Sequence, residues 1–195
     1  MSFIEKLLGR ILQKEKTQST LPTAEIAYSV SRLSASELWI RANESKHVMD
    51  YTKIMRGNGT SLFYRLDEEN EDMSVIELLT PDAFSRTGPE DEIGSMEYDF
   101  VNNGVDFEEA RKRRIVLVIV TDSDTSSLRG MIREATFEEP IGFPPGTCYN
   151  LGLCACLDSS AGMLHFSEKA KLLRKEWEHS IDEVKQFLNA LASSG

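Results

Sequence analysis

Asp122-Ser123-Asp124-Thr125-Ser126 follows Ile115–Val120, six consecutive Ile, Val or Leu residues that read as a strand covered on both faces. In open α/β arrangements the loop at the carboxyl end of such a strand is where ligands bind. Two carboxylates separated by one residue can share a hard cation such as Mg²⁺, and the N-terminus of the helix that follows favours a phosphate. The same residue types also suit a plainer task. Asp, Ser and Thr cap helices and close turns by hydrogen-bonding nearby backbone, and that is the default expectation for Asp122 and Asp124.

Cys154-Ala155-Cys156 is the second chemical candidate. Strand alternation puts both sulfurs on one face, with Cys148 further along it, and His165 on the returning strand completes a thiolate–imidazole set. Structural zinc, however, draws on cysteine pairs with two to four residues between them, and none occurs here. Cysteine also packs as a small hydrophobe, so three free, structural thiols are expected. His47, His165 and His179 show no ligand spacing, and the chain has no G-x-S-x-G nucleophile motif.

The Asp122–Ser126 run loosely resembles the strand-D-x-D-x-T loop of the haloacid-dehalogenase phosphatases, in which one Asp is nucleophile and the second is acid/base. Asp122, Asp124 and Ser126 match it, with Ser in place of Thr. The resemblance implies a divalent-metal-dependent phosphohydrolase-like enzyme built around Asp122 and Asp124. In those enzymes the loop opens the fold and further Lys and Asp motifs follow. Here 71 residues follow Asp124, expected to end in a hairpin and one helix. The run also resembles the D-x-S-x-S metal site of von Willebrand A domains, with Asp124 standing in place of the first Ser.

Charge points elsewhere. Between Asp67 and Glu109 there are fifteen Asp and Glu against one base, Arg86, while the whole chain carries −10. A one-sided field of this kind attracts basic partners and repels nucleic acid and anionic lipid. Glu68, Glu69 and Glu71, with Glu90, Asp91 and Glu92, are the candidate partner-binding residues. Complementary charge there would speed association with a basic protein. Arg111-Lys112-Arg113-Arg114 is too short and too close to Glu108 and Glu109 to be a nucleic-acid patch, and is expected to face the acidic segment or solvent. The leading expectation is therefore a non-enzymatic, cytoplasmic interaction module that binds a basic protein partner, as an inhibitor, immunity protein or chaperone. No cofactor and no nucleic acid are expected.

The elements that must position these groups follow from periodicity. At 195 residues the chain suits a single α+β domain over residues 21–195, with a mixed or antiparallel sheet and an acidic excursion at 67–109. Phe3, Ile4, Leu7, Leu8, Ile11 and Leu12 recur at helical spacing, with Lys6, Arg10, Lys14 and Lys16 elsewhere on the cylinder. Residues 1–16 are thus an amphipathic helix, suited to weak peripheral membrane contact or to docking on protein. A strand is expected within Ala24–Leu33. Ser34 and Glu37 have capping-box spacing and open a helix that resumes after Asn43–Ser45 and runs to Met55. Gly57-Asn58-Gly59 is a turn, and Ser61–Leu66 and Met73–Leu79 form a hairpin with a charged tip. Residues 80–105 read as a long acidic loop holding a short strand near Met96–Val101. Asp106 and Glu109 open a further helix, with Glu108–Lys112 and Glu109–Arg113 paired across one turn. After Ile115–Val120 come a helix bearing Leu128, Met131, Ile132 and Ala135, a break at Pro144-Pro145-Gly146, and a strand over Thr147–Leu157. Met163–Phe166 returns antiparallel to that strand. Ser167 caps a long final helix whose stripe is Ala170, Leu173, Trp177, Ile181, Val184, Leu188 and Leu191. The three cysteines lack a disulfide framework, which fits a reducing compartment.

Overall fold

The computed structural model describes residues 26–194 except 57–59, 68, 70–71, 106–109, 111, 124, 133–136, 142–147 and 167–175. The expected N-terminal helix over 1–16, the Gly57–Gly59 turn, the Pro144–Gly146 break and the Ser167 cap lie outside these residues.

The strands are β1 (Ile26–Ser29), β2 (His47–Val48), β3 (Tyr51–Met55), β4 (Ser61–Asp67), β5 (Asp72–Leu79), β6 (Lys112–Thr121), β7 (Phe137–Ile141), β8 (Cys148–Asp158) and β9 (Met163–Phe166). The helices are α1 (Ala35–Glu44), α2 (Pro81–Asn102), α3 (Ser126–Ile132) and α4 (Glu176–Ser193). Eight strands form one path, β1-β9-β8-β6-β5-β4-β3-β2, and β7 pairs with β8 beside it. The sheet is mixed. β5, β6 and β8 are parallel at its centre, and the remaining pairings are antiparallel. A helix is needed to return the chain between neighbouring parallel strands, and α2 and α3 do this between β5 and β6 and between β6 and β8.

Strand alternation divides the apolar residues between two layers. Val116, Val118 and Val120 of β6 join Leu153, Ala155 and Leu157 of β8 and Ile76 and Leu78 of β5 on one face. Leu38 and Ala42 of α1 cover that face, with Ile181, Val184, Phe187, Leu188 and Leu191 of α4. Ile115, Leu117 and Ile119 turn to the other face with Cys154 and Cys156, beneath Phe84, Ile93, Met96 and Phe100 of α2 and Leu128 and Ile132 of α3. The long uninterrupted apolar run of β6 is what a strand covered on both faces requires. Ile115–Val120 as a central strand, the β4–β5 and β8–β9 hairpins and the Ser34/Glu37 capping box all stand as the sequence indicates. The side chain of Trp177 lies outside the described set.

Three expectations are corrected. Residues 47–55 are not a continuation of α1. A two-residue turn at Met49-Asp50, with Met49 at φ 56, reverses the chain so that Val48 faces Tyr51 across β2 and β3. The stretch Tyr51-Thr52-Lys53-Ile54 is rich in aromatic and β-branched residues, which favour a pleated, half-buried surface. Residues 80–105 are not a loop with a short strand, because 81–102 form the 22-residue helix α2. Thr80 caps it by accepting the Ala83 amide, and Pro81 stands in its first turn, where a missing N–H costs nothing. Lys112 and Arg113 are strand residues of β6 and not the second turn of a helix opened at Asp106, and residues 106–109 lie outside the described residues.

The β8–β9 turn depends on a glycine. Gly162 has φ +67, and a Cβ there would lie 2.7 Å from the carbonyl oxygen of Val30. That close approach lets Val30 donate its amide to Gly162, which fixes the chain after β1 against the turn.

Candidate functional site

A buried polar constellation lies under α2, where α+β packing would otherwise be apolar. Glu77 stands on β5 between Val75 and Leu79, on the face that α2 covers, with Leu62 and Leu117 as its cross-strand neighbours. Its side chain is wholly buried. Arg56, at the end of β3, meets it there. Its Nη1 donates to Oε1 of Glu77 and to Oε1 of Glu92, the latter at 2.5 Å. Its Nε donates to Oδ2 of Asp99 at 2.5 Å, and its Nη2 donates to Ser95 Oγ. Glu92, Ser95 and Asp99 recur at three- and four-residue intervals, so one flank of α2 presents all three to the guanidinium. Thr60, just before β4, donates its hydroxyl to Oε1 of Glu77 at 2.9 Å.

Arg56 therefore serves three carboxylates. Burial lowers the Arg56 pKa, but Glu77, Glu92 and Asp99 outweigh it and hold the guanidinium above its ordinary value. Desolvation, reinforced by the neighbouring Glu92, pushes the Glu77 carboxyl up to about 8 against the opposing pull of Arg56. Oε2 of Glu77 has no hydrogen-bond partner among the described residues. A buried carboxylate oxygen without a donor is costly when charged, and this works in the same direction as the desolvation that favours a proton on Glu77.

The candidate partner-binding residues separate on this geometry. Glu92 belongs to the buried cluster, 2 % exposed, whereas Asp91 and Glu69 are exposed. Glu68 and Glu71 and the Glu90 side chain lie outside the described set. Other acids of the segment are also paired from beyond it. Arg113 reaches Glu97 at 3.6 Å and Arg114 reaches Asp72 at 3.1 Å, so the basic run does face the acidic segment. Arg114 also meets Glu183 of α4 at 3.3 Å, and Glu183 pairs with Arg65. The charge left facing solvent is consequently smaller than the sequence count. Asp91 and the Arg113-paired Glu97 flank the outward side of α2, where Tyr98 and Val101 are 71 % and 68 % exposed.

Asp122 is engaged as a cap. Both carboxylate oxygens accept the Ala35 amide at 2.8 Å, and Oδ1 also accepts Ser159 Oγ at 2.5 Å. Ala35 is the first residue of α1, so Asp122 satisfies one of that helix's unpaired amides and places negative charge at the positive end of its dipole. Asp122 therefore caps a helix that begins 87 residues earlier in the chain, where the sequence points to capping of nearby backbone. Asp124 lies outside the described residues. No group of three or more His, Cys, Asp or Glu among the described residues is placed to hold a metal ion.

Cys154 and Cys156 are free and buried. Burial pushes the Cys154 thiol far above its usual range, so it is a poor thiolate. His165 pairs across the strands with Cys156, as the returning strand requires.

The Arg56 cluster was hidden in the sequence because its members come from three separated elements. Its one available signal was Glu77, a lone acid within the apolar run Val75-Ile76-Glu77-Leu78-Leu79. No helix among the described residues is long and apolar enough to cross a membrane. Comparison with family models, with curated proteins and with solved structures finds no match to this chain.

Proposed function

We propose that this chain is a cytoplasmic protein-interaction module that binds a basic partner protein, as an inhibitor, immunity protein or chaperone, through the outward face of α2. The observation that carries this reading is the exposure of Tyr98 and Val101, three residues apart on one helix face and flanked by Asp91 and Glu97. Exposed aromatic anchors inside a charged rim are what binding hot spots are made of. Asp67, Glu69 and Asp82 are further exposed acids of the same segment. Free, buried cysteines suit a reducing compartment.

The Arg56 cluster supports the reading indirectly. It ties α2 to β3 and β5 through charged hydrogen bonds, so the face presented to a partner is held rigid. Preorganisation of this kind lowers the entropic cost of association.

The test is a binding-kinetics comparison on the basic protein retained from native lysate at low salt. Asp91→Asn with Glu97→Gln should slow association, and its effect should vanish as salt rises, because exposed charges are screened over about 8 Å at physiological ionic strength. Tyr98→Ala should instead speed dissociation, at a cost of about 2 kcal/mol if it is a hot spot. Unchanged rates in both variants would reduce this face to an ordinary solvated surface.

A further inference from the structure

The Tyr98–Val101 face also has a complementary segment within its own chain. Residues 1–16 carry Lys6, Arg10, Lys14 and Lys16 against Glu5 and Glu15, with Phe3, Ile4, Leu7, Leu8, Ile11 and Leu12 at helical spacing. That is an apolar stripe with basic flanks. The outward side of α2 is an apolar pair with acidic flanks, and its last turn contains no base.

Reach permits the two to meet. Ile26 begins the described chain and is joined through paired residues Phe166, Ala155 and Val118 to Leu78, a row that crosses from β1 to β5. Four strand spacings of about 4.8 Å make roughly 19 Å. A helix about 10 Å in diameter packed on a sheet puts its outer side about 15 Å above the strands. Phe100 packs edge-on to Tyr64 of β4, which pairs with Val75, so this end of α2 lies one further strand spacing across the sheet and three residues, about 10 Å, along it from Leu78. The separation is then roughly 30 Å. The ten Cα steps from Lys16 to Ile26 span about 33–36 Å when extended.

We propose that residues 1–16 dock on the Tyr98–Val101 face of α2 in the same chain and occupy it until a basic partner displaces them. Residues 17–25 tie the segment to β1, so the contact is intramolecular and needs less intrinsic affinity than one between separate molecules. The inference shares its surface with the partner reading, and the two can fail independently.

The experiment is zero-length carbodiimide coupling of the full chain, which joins a lysine amine to a carboxylate only where the two are in contact. Mass spectrometry of the monomer fraction should find Lys6, Lys14 or Lys16 joined to Asp91 or Glu97. The yield should fall at least severalfold in Tyr98→Ser with Val101→Ser, both exposed enough to leave the fold intact. It should fall similarly in about 1 M salt, where the screening length is about 3 Å. Couplings confined to covalent dimers would assign the face to a second copy and overturn the proposal, as would couplings to other acids or none. A second readout addresses release. Lys6→Glu with Arg10→Glu and Lys14→Glu should bind a synthetic peptide of residues 1–20 severalfold more tightly than the natural chain, whose own segment competes. Equal affinities would also overturn it. The partner reading is sunk instead by unchanged association rates in the Asp91 and Glu97 variants, whatever the couplings show.

Discussion

Glu77 shows how one residue can set a pH response. Its folded pKa is raised to about 8 by desolvation, from an ordinary value of 4.5. Between those values the folded chain keeps a proton that the unfolded chain releases, so stability is full below the lower value and falls as pH rises through the higher one. Glu77→Gln keeps the shape, retains an acceptor for Thr60 and removes the titration. Thermal melting of the natural chain should therefore decline from pH 5 to 8, and the variant should decline less and melt higher at pH 8. A parallel pair of pH curves would show that Glu77 is charged throughout. Asp122 makes a different prediction at the same scale. Its carboxylate receives the Ala35 amide and Ser159 hydroxyl, so Asp122→Ala should cost about 1 kcal/mol as a lost helix cap. Urea unfolding would measure it, and full stability in that variant would return Asp122 to the list of residues kept for chemistry. Part of this was legible beforehand. The short-range alternatives, cap or metal ligand, follow from residue type. The capped helix does not, because α1 lies 87 residues away in the chain and only the tertiary fold brings its end to β6.

At the scale of elements, the burial of β6 on both faces was legible, and α2, which covers one of them, was not. Period-two alternation identifies β8, and helical spacing identifies Leu38 with Ala42 and the stripe of α4, though Phe187 was missed. In α2 the punctuation of Pro81, Gly88, Pro89 and Gly94 outweighed a helical stripe that is present in the sequence. Ile93, Met96 and Phe100 recur at intervals of three and four and are all buried, while Tyr98 and Val101 face out. Pro81 belongs to the first turn of the helix, where it is compatible with helical φ. Tertiary packing on β5 and β6 then stabilises a segment whose local propensity is poor. Gly94 is where that poor propensity is easiest to repair. It is helical and exposed, and a Cβ there meets open space, so Gly94→Ala should stabilise the chain by about 0.5–1 kcal/mol through the unfolded state's lost entropy. A shift of the urea midpoint with unchanged slope would confirm the sign. Destabilisation would mean that the glycine is required where α2 meets its occupant.

The whole molecule is a sheet whose centre is far better secured than its margins. β6 has β5 and β8 as neighbours, both parallel to it, and its residues Arg113–Thr121 are buried under helices on the two faces. At the margins β2 is two residues long, and β1 is four residues with alternating half-buried and exposed side chains. Short edge strands leave little unpaired backbone for another chain to extend, which limits edge-to-edge association. The same contrast predicts how the fold opens. Local unfolding draws on regions with few buried apolar contacts, and central strands exchange only when the whole domain unfolds. Amide exchange should therefore grade outward from β6. The amides of Ile115–Val120 should exchange at the global unfolding free energy, and those of β2 and β1 orders of magnitude faster. α2 provides the decisive element, since it is held to the sheet both by Phe84, Ile93, Met96 and Phe100 and by the Arg56 cluster. Its buried flank should exchange with β6 below about pH 5, where Glu77 is neutral, and should open earlier than β6 above about pH 8, where three carboxylates share one cation. Exchange of α2 as slow as β6 at both ends of that range would show that apolar packing alone holds the helix. The Arg56 cluster would then be left with no part in presenting its outer face.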